Sequence, residues 1–172
     1  MTLILSLLRH AKSSWDDAAT GDRDRPLNER GRAAAPAMGA WMAAHDLCPD
    51  VVTCSTAART RETLGLVLPH WTPRPDVRFD DALYLAEPED IAALVRSTKR
   101  EIGHLMIVGH NPGIAVLAGD LAGSGDKTAL VRLAARFPTA GLAVIAFDAA
   151  GWGKIRRHQG RLVHFATPRS IA

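Results

Sequence analysis

The feature that most constrains this chain is an apolar run near its start that stops abruptly at an arginine and a histidine. Leu3 to Leu8, apolar except for Ser6, has the length and hydrophobicity of a strand buried on both faces of a parallel sheet. Ligand sites in open α/β sheets lie beyond the carboxyl ends of such strands, so Arg9 and His10 are placed to meet a ligand. An arginine there suits an oxyanion, and a histidine offers a nucleophile or a proton shuttle. Taken alone, the pair is more ordinarily a strand-end arginine and a core histidine.

The composition is that of a globular protein and excludes several classes. At 172 residues, with 47% hydrophobic and 23% charged residues, we expect a single domain over 1–172. A net charge of +3 with no block of basic residues argues against a nucleic-acid partner. No apolar run approaches the length of a membrane span, the apolar start is too short for a signal peptide, and the two cysteines do not suggest a disulfide. We therefore expect a cytoplasmic protein without a membrane partner.

Apolar runs alternate with helical segments along the whole chain, which predicts a three-layer α/β/α fold with a doubly wound, mostly parallel sheet and helices on both faces. Further strands are predicted at 51–54, 77–79, 105–108, 142–147 and 162–165. Helices are predicted at 30–45, 57–68 and 128–137. Two more helices are predicted with one bound each: one begins at 88, and another, after the strand at 105–108, ends at about 121.

The connecting segments carry several expectations of their own. Pro36 lies inside the first helical segment, which either kinks there or restarts with the proline at its first position. The charges of 22–24 are predicted to be solvated, and 123–125 is predicted to be a loop. Asn28, 55–56, Glu87 and Asn111 are predicted to cap helices.

Three predicted strands end in residues that suit an anion. Arg59 falls in the first turn of the helix after the second strand, where free backbone amides already favour negative charge. His110 follows strand 105–108 in the way that Arg9 and His10 follow the first strand. Two guanidiniums and two imidazoles facing one pocket would be costly to bury without an anion, and a phosphoryl group can accept hydrogen bonds from several of them. The pattern predicts phosphoryl transfer with one imidazole as nucleophile.

Four motifs make the chain resemble the histidine phosphatase (phosphoglycerate mutase-like) superfamily, and within it the short SixA-type phosphohistidine phosphatases. The motifs are Arg-His-Ala-Lys-Ser-Ser-Trp at 9–15, Arg-Pro-Leu-Asn-Glu-Arg-Gly at 25–31, Val-Gly-His-Asn-Pro at 108–112 and Phe-Pro-Thr-Ala at 137–140. The resemblance implies a phosphoglycerate mutase-like fold. It also implies that His10 is the nucleophile and becomes transiently phosphorylated, and that Arg9, Arg59 and His110 hold the phosphoryl oxygens.

The chain departs from the larger relatives at places that bear on proton transfer. Asp16 stands where they carry asparagine, so it either points away from the pocket or orients a neighbouring cation. They place a proton-donating acid in a segment that falls near Tyr84 and Leu85 here, where there is no carboxylate. Glu87 is close to that segment. Asp16, Glu87 and Ser13 of the first motif are therefore secondary site candidates.

The missing acid favours phosphohistidine as the substrate. A phosphate ester expels an alkoxide that needs a proton, whereas phosphohistidine can expel a neutral imidazole, whose conjugate acid has a pKa near ~6.5. The few residues between Arg59 and His110 leave little chain for a large lid, which suits a phosphorylated side chain on another protein. We expect a monomer that needs no cofactor or metal, acts in signal transduction on a histidine-containing phosphotransfer protein and releases inorganic phosphate.

Two other functions stay open at the level of the sequence. One is a general phosphomonoesterase or mutase for small molecules, with Glu87 as the acid. The other is a phosphate-recognition module without turnover. A metal enzyme is disfavoured, since the remaining histidines are scattered without ligand spacing.

Overall fold

The computed structural model describes all 172 residues, which form seven strands and six α-helices. The strands are β1 (Thr2–Arg9), β2 (Val51–Ser55), β3 (Asp76–Asp80), β4 (His104–Gly109), β5 (Ala122–Gly125), β6 (Leu142–Asp148) and β7 (Gly160–Ala166). The helices are α1 (Glu29–Ala44), α2 (Ala58–Val67), α3 (Pro88–Arg96), α4 (Gly113–Leu121), α5 (Lys127–Ala135) and α6 (Pro168–Ile171). No helix combines the length and the hydrophobicity that crossing a bilayer requires.

All seven strands belong to one sheet in the order β3-β2-β4-β1-β6-β7-β5. The pairings of β6 with β1 and β7 are antiparallel, and every other pairing is parallel. The predicted mostly parallel sheet is thus confirmed. Strand β1 lies at its centre, between β4 and β6, which explains why its apolar run has no polar face.

Helices cover both faces of the sheet, as predicted. Alternate side chains of β1 and β4 point to opposite faces, so the sheet separates an apolar cluster of 23 buried residues from one of 18. Helices α3, α4 and α5 supply Ile91, Ile114 and Leu133 to the first cluster. Helices α1 and α2 supply Met38 and Leu64 to the second. The molecule is therefore a three-layer α/β/α fold.

One local prediction was wrong, and one open question is settled. Residues 122–125 form β5 rather than a loop, because the edge of β7 offers them a backbone partner and Gly123 leaves room for the His158 carbonyl. Helix α1 runs through Pro36 as one element, which settles the question left open by the sequence.

The predicted helix caps have mixed outcomes. Asn28 caps α1 by accepting a hydrogen bond from the Gly31 amide at 3.0 Å, as expected. Glu87 lies at the cap position of α3 without a side-chain bond, and α2 is preceded by Ala57 rather than capped by 55–56. Asn111 does not cap α4; its amide donates instead to the Phe137 carbonyl at 2.9 Å, which ties two loops of the sheet edge together.

Candidate functional site

His10 is fixed at the carboxyl edge of the sheet by its own backbone. Its amide donates to the Gly109 carbonyl at 3.1 Å, and its carbonyl accepts from the Ala140 amide at 2.9 Å. The first bond continues the parallel pairing of β1 with β4, in which Arg9 is opposite Gly109. The residues that follow β1 and β4 are therefore neighbours, and the ring centroids of His10 and His110 lie 5.4 Å apart.

The His10 ring has one nitrogen engaged and one free. Nδ1 lies 2.7 Å from the Ala11 carbonyl, which can only accept, so Nδ1 carries the proton and Nε2 keeps its lone pair. Burial lowers the pKa of His10 to about 3, helped by the positive charges of Arg59 and Arg9 and by His110. His10 is therefore neutral near pH 7, and its unprotonated Nε2 is available for nucleophilic attack.

His110 is held by a serine at the end of the neighbouring strand. Its Nε2 lies 2.7 Å from the Ser55 hydroxyl, and the Tyr84 ring meets its ring edge-on at 5.5 Å between centroids. Its Nδ1 is buried and has no hydrogen-bond partner in the protein. Burial lowers the pKa of His110 to about 4, and the charges of Arg59 and Arg9 act in the same direction.

Two arginines flank the histidines. Arg9 donates through Nη1 to the Phe137 carbonyl at 3.0 Å, which fixes the side chain at the end of β1. Arg59 is 2% exposed and lies in the first turn of α2, as predicted. The Nε atoms of both arginines are buried without a protein partner. Such donors suit the oxygens of a tetrahedral anion.

The charges of 22–24 are exposed, as predicted, but Asp22 also takes part in the site. Asp22 accepts from Arg59 through its backbone carbonyl at 2.6 Å and its carboxylate at 3.1 Å. The carboxylate also accepts from Arg25 at 3.2 Å and from the Tyr84 hydroxyl. The hydrogen bond from Tyr84 and the charges of Arg59 and Arg25 lower the pKa of Asp22 to about 2. Part of the cationic charge that we expected a ligand to balance is therefore balanced by the protein itself.

The four predicted residues line one cleft of about 320 Å³. The other residues that line it are Lys12, Ser13, Trp15, Asp22, Arg25, Leu85, Asn111 and Thr139. The cleft mouth is apolar on two sides, because Trp15 is 72% exposed and Leu85 is 52% exposed. No group of three or more histidine, cysteine or acidic side chains is arranged to hold a metal ion.

The secondary candidates have different outcomes. Ser13 lines the cleft and accepts from Arg25 at 2.7 Å, so it helps to position that guanidinium. Asp16 is exposed and borders neighbouring surface grooves rather than the cleft, and Trp15 is the last residue of this segment that lines the cleft. Glu87 is exposed and lies outside the cleft lining, since α3 begins there and leads away from the sheet edge.

Sequence reasoning missed Asp22, Arg25 and Tyr84 as parts of the site. A usable signal was present for each. Asp22 and Arg25 lie in the loop that leaves β1, which must cross the carboxyl edge of the sheet before α1 begins. Tyr84 is the only tyrosine of the chain and falls where larger relatives place their acid.

Comparison with known proteins places this constellation in a family. Residues 5–84 match the model of the histidine phosphatase superfamily, branch 1. A Mycobacterium leprae protein without an assigned function is 35% identical over 167 residues, which cover 94% of this chain and all of that protein.

Two solved structures are similar over nearly the full chain. A proposed phosphohistidine phosphatase SixA from Agrobacterium tumefaciens has a TM-score of 0.82 and 31% identity, covering 96% of this chain and 98% of that one. A second proposed SixA, from Nakamurella multipartitia, has a TM-score of 0.84 and 30% identity, covering 98% and 97%.

Proposed function

The chain belongs to the histidine phosphatase superfamily, in its SixA-type group, and we propose that it hydrolyses phosphohistidine on a protein partner through a phosphorylated His10. The observation that carries this proposal is the arrangement of His10. Its ring is neutral, oriented by the Ala11 carbonyl, and presents Nε2 to a cleft that also contains Arg9, Arg59 and His110.

In the first step Nε2 of His10 attacks the phosphorus of the substrate, a P–N bond to His10 forms, and the P–N bond of the substrate breaks. The substrate ring, already protonated on its other nitrogen, takes both electrons of that bond and leaves as a neutral imidazole. Arg9, Arg59 and His110 hold the phosphoryl oxygens during the transfer, so positioning and charge stabilisation supply the catalysis.

In the second step water attacks the phosphorus of phospho-His10, the bond to Nε2 breaks, and inorganic phosphate leaves. The depressed pKa of His10 favours this step, because the ring returns to a neutral state with its lone pair free. The Ala11 carbonyl keeps the same tautomer through the cycle, since Nδ1 remains its donor. No resident cofactor or metal enters either step.

The carboxylate of the cleft favours phosphohistidine over a phosphate ester. Asp22 is the acid that lines the cleft, and its pKa of about 2 means that it has no proton to give an alkoxide near neutral pH. Glu87, the candidate acid for an esterase, lies outside the cleft. An imidazole leaving group, with a conjugate-acid pKa near ~6.5, needs no such donor.

The cleft mouth supports a protein substrate. Trp15 and Leu85 are exposed beside the catalytic residues, and aromatic and apolar side chains at a rim are typical of surfaces that contact another protein. A histidine-containing phosphotransfer protein in the cytoplasm presents its phosphohistidine on an exposed surface, which such an open cleft can reach. The enzyme acts on it as a monomer.

Rapid-quench mass spectrometry tests the covalent step. Purified enzyme is mixed with free phosphohistidine, and peptides containing His10 are examined for added phosphate within milliseconds to seconds. We expect a transient label on His10, and His10→Ala is expected to lose both the label and phosphate release, by at least ~10³-fold in rate. His104→Ala is the matched control, because it removes a buried histidine outside the cleft.

The same assay separates the competing functions. Fast turnover of sugar phosphates with intact phosphohistidine would contradict the proposal and favour a small-molecule phosphomonoesterase. Phosphate binding that survives in His10→Ala, together with no turnover in the unmodified enzyme, would favour a recognition module.

A further inference from the structure

A second concave surface lies beside the cleft, and the charged side chains that line it are all arginines. It has a volume of about 480 Å³ and contains the side chains of Arg30, Arg132, Arg136 and Arg169. We call it the arginine groove. No aspartate or glutamate lines it, and none of its four arginines makes an ion pair or a side-chain hydrogen bond.

Several arginines elsewhere in this protein pair with an acid. Arg32 pairs with Glu62 at 2.8 Å, and Arg157 pairs with Asp120 at 2.9 Å, both on the surface. Four arginines from α1, the end of α5 and α6 gathered without an acid repel one another, and an anionic partner would relieve that repulsion.

The groove is continuous with the catalytic cleft. Thr139 lines both, and the segment that includes it is anchored to the cleft by the bond from Arg9 to the Phe137 carbonyl. Arg136 is near enough for its charge to lower the pKa of Arg9. A ligand chain in the groove would therefore lead directly to His10.

The groove has an apolar floor as well as charge. The Arg132 guanidinium lies over the Phe165 ring, 5.5 Å from its centroid, and Pro138 and Pro168 also contribute to the lining. A polypeptide with carboxylates and short apolar side chains fits such a surface. A nucleic-acid backbone fits it less well, because the cations are confined to one hollow instead of following an extended stripe.

We propose that the arginine groove docks an acidic segment of the phosphohistidine-bearing protein and so selects its substrates. This inference rests on the proposed function and adds the chemistry of the partner to it. Docking on exposed arginines changes the association rate and the affinity for the substrate, while the chemical step takes place in the cleft. The groove therefore sets KM and leaves kcat unchanged.

Matched synthetic peptides test the inference. Both carry one phosphohistidine, and about three residues away, roughly 10 Å in an extended chain, one carries four glutamates and the other four glutamines. We expect the glutamate peptide to have a KM about tenfold lower at low salt, with the same kcat, and the difference to shrink as salt is added. Equal KM values for the two peptides would overturn the inference.

Charge reversal localises the effect. Arg132→Glu with Arg169→Glu is expected to abolish the preference for the glutamate peptide while free phosphohistidine is turned over within about twofold of the original rate. Lys154→Glu with Arg161→Glu changes the net charge equally, at exposed positions near the start of β7 and away from the groove, and should keep the preference. An equal loss in both double variants would mean that net charge alone acts, and would overturn the inference.

Further measurements separate the remaining outcomes. Arg132→Gln with Arg169→Gln removes the same two charges without reversing them. This variant provides the result if the double glutamate variant does not fold. A fluorescent, unphosphorylated glutamate peptide should bind the unmodified protein more tightly than a single-stranded oligonucleotide of equal charge, and the reverse order would overturn the inference. Absence of turnover with free phosphohistidine would instead overturn the proposed function, and the docking role with it.

Discussion

The two ends of strand β4 each hold a buried histidine that contacts a serine, yet only one end lies in the cleft. His104 begins the strand, with its Nε2 2.9 Å from the Ser6 hydroxyl, and His110 follows its end, with its Nε2 2.7 Å from the Ser55 hydroxyl. Burial is the main cause that lowers the pKa of each to about 4. By burial, contact with a serine and pKa, the two histidines are nearly indistinguishable, although only His110 has a buried Nδ1 without a partner.

The surrounding charges separate them. The carboxylate of Asp50 partly restores the pKa of His104, and no arginine charge acts on that histidine. His110 is affected by Arg59 and Arg9, with Asp22 as the opposing acid. A lowered pKa alone therefore reflects burial, whereas several guanidiniums around a histidine, one of them without an acidic partner, indicate a site for an anion.

The largest expected effect is on activity. His110→Ala should lower kcat for phosphohistidine by roughly 10²–10³-fold, because a donor to the transferring phosphoryl group is lost. His104→Ala should stay within about twofold per folded molecule, since its ring lies outside the cleft. Steady-state rates normalised to folded protein measure kcat for both variants. An equal loss of kcat in the two variants would contradict the distinction between the two histidines.

Stability should respond in the opposite way. His104→Ala leaves the buried Ser6 hydroxyl without its partner and opens a cavity, so we expect the free energy of unfolding to fall by about 1–3 kcal/mol at pH 7. His110→Ala should cost less, because its site faces the cleft. Urea denaturation of the two variants measures this difference, and a larger loss in His110→Ala would contradict it.

The third expected effect is on the pH dependence of stability. Both pKa values lie below that of an unfolded histidine, so the unfolded chain binds protons between pH 6.5 and 4 that the folded chain does not. Stability is complete above pH 6.5 and falls toward pH 4, by up to about 1.4 kcal/mol per pH unit for each histidine. Urea denaturation at pH 7, 6 and 5 gives the free energy of unfolding at each pH. This free energy should fall less steeply with decreasing pH in His104→Ala than in the unmodified protein.

Inorganic phosphate distinguishes the two histidines in the same experiment. A bound phosphate favours the protonated form of His110 and should raise its pKa, while that of His104 stays unchanged. Nuclear magnetic resonance of the two ring C–H groups follows each separately. A phosphate-dependent shift at His104 would be the contrary result.

The smallest expected effect concerns Asp22. Asp22→Asn removes the negative charge beside Arg59, so inorganic phosphate should inhibit the enzyme severalfold more tightly, by about 1 kcal/mol. Product-inhibition kinetics measure this, with Asp17→Asn as a control at an exposed position of the same loop. Weaker phosphate inhibition in Asp22→Asn would show that the carboxylate serves chiefly to position the arginine.

The sequence by itself determined the layers, the mostly parallel sheet and the meeting of Arg9, His10, Arg59 and His110. The physical reason is general: the carboxyl ends of parallel strands lie on one edge, so residues that follow such strands become neighbours however far apart they are along the chain. Arg59 lies in the first turn of a helix rather than directly after a strand. Its place is still predictable, because a helix that follows a parallel strand begins at the same edge of the sheet.

Only the tertiary structure decided which other groups join the site. Asp22 meets Arg59 and Tyr84 because two loops and the first turn of α2 pack against one another, and no periodicity in the sequence encodes that packing. Strand β5 depends in the same way on the free edge of β7, and the arginine groove depends on the start of α1, the end of α5 and the short α6 lying side by side. Side chains on loops are placed by contacts between distant segments, whereas strand ends are placed by backbone hydrogen bonding that local patterns already predict.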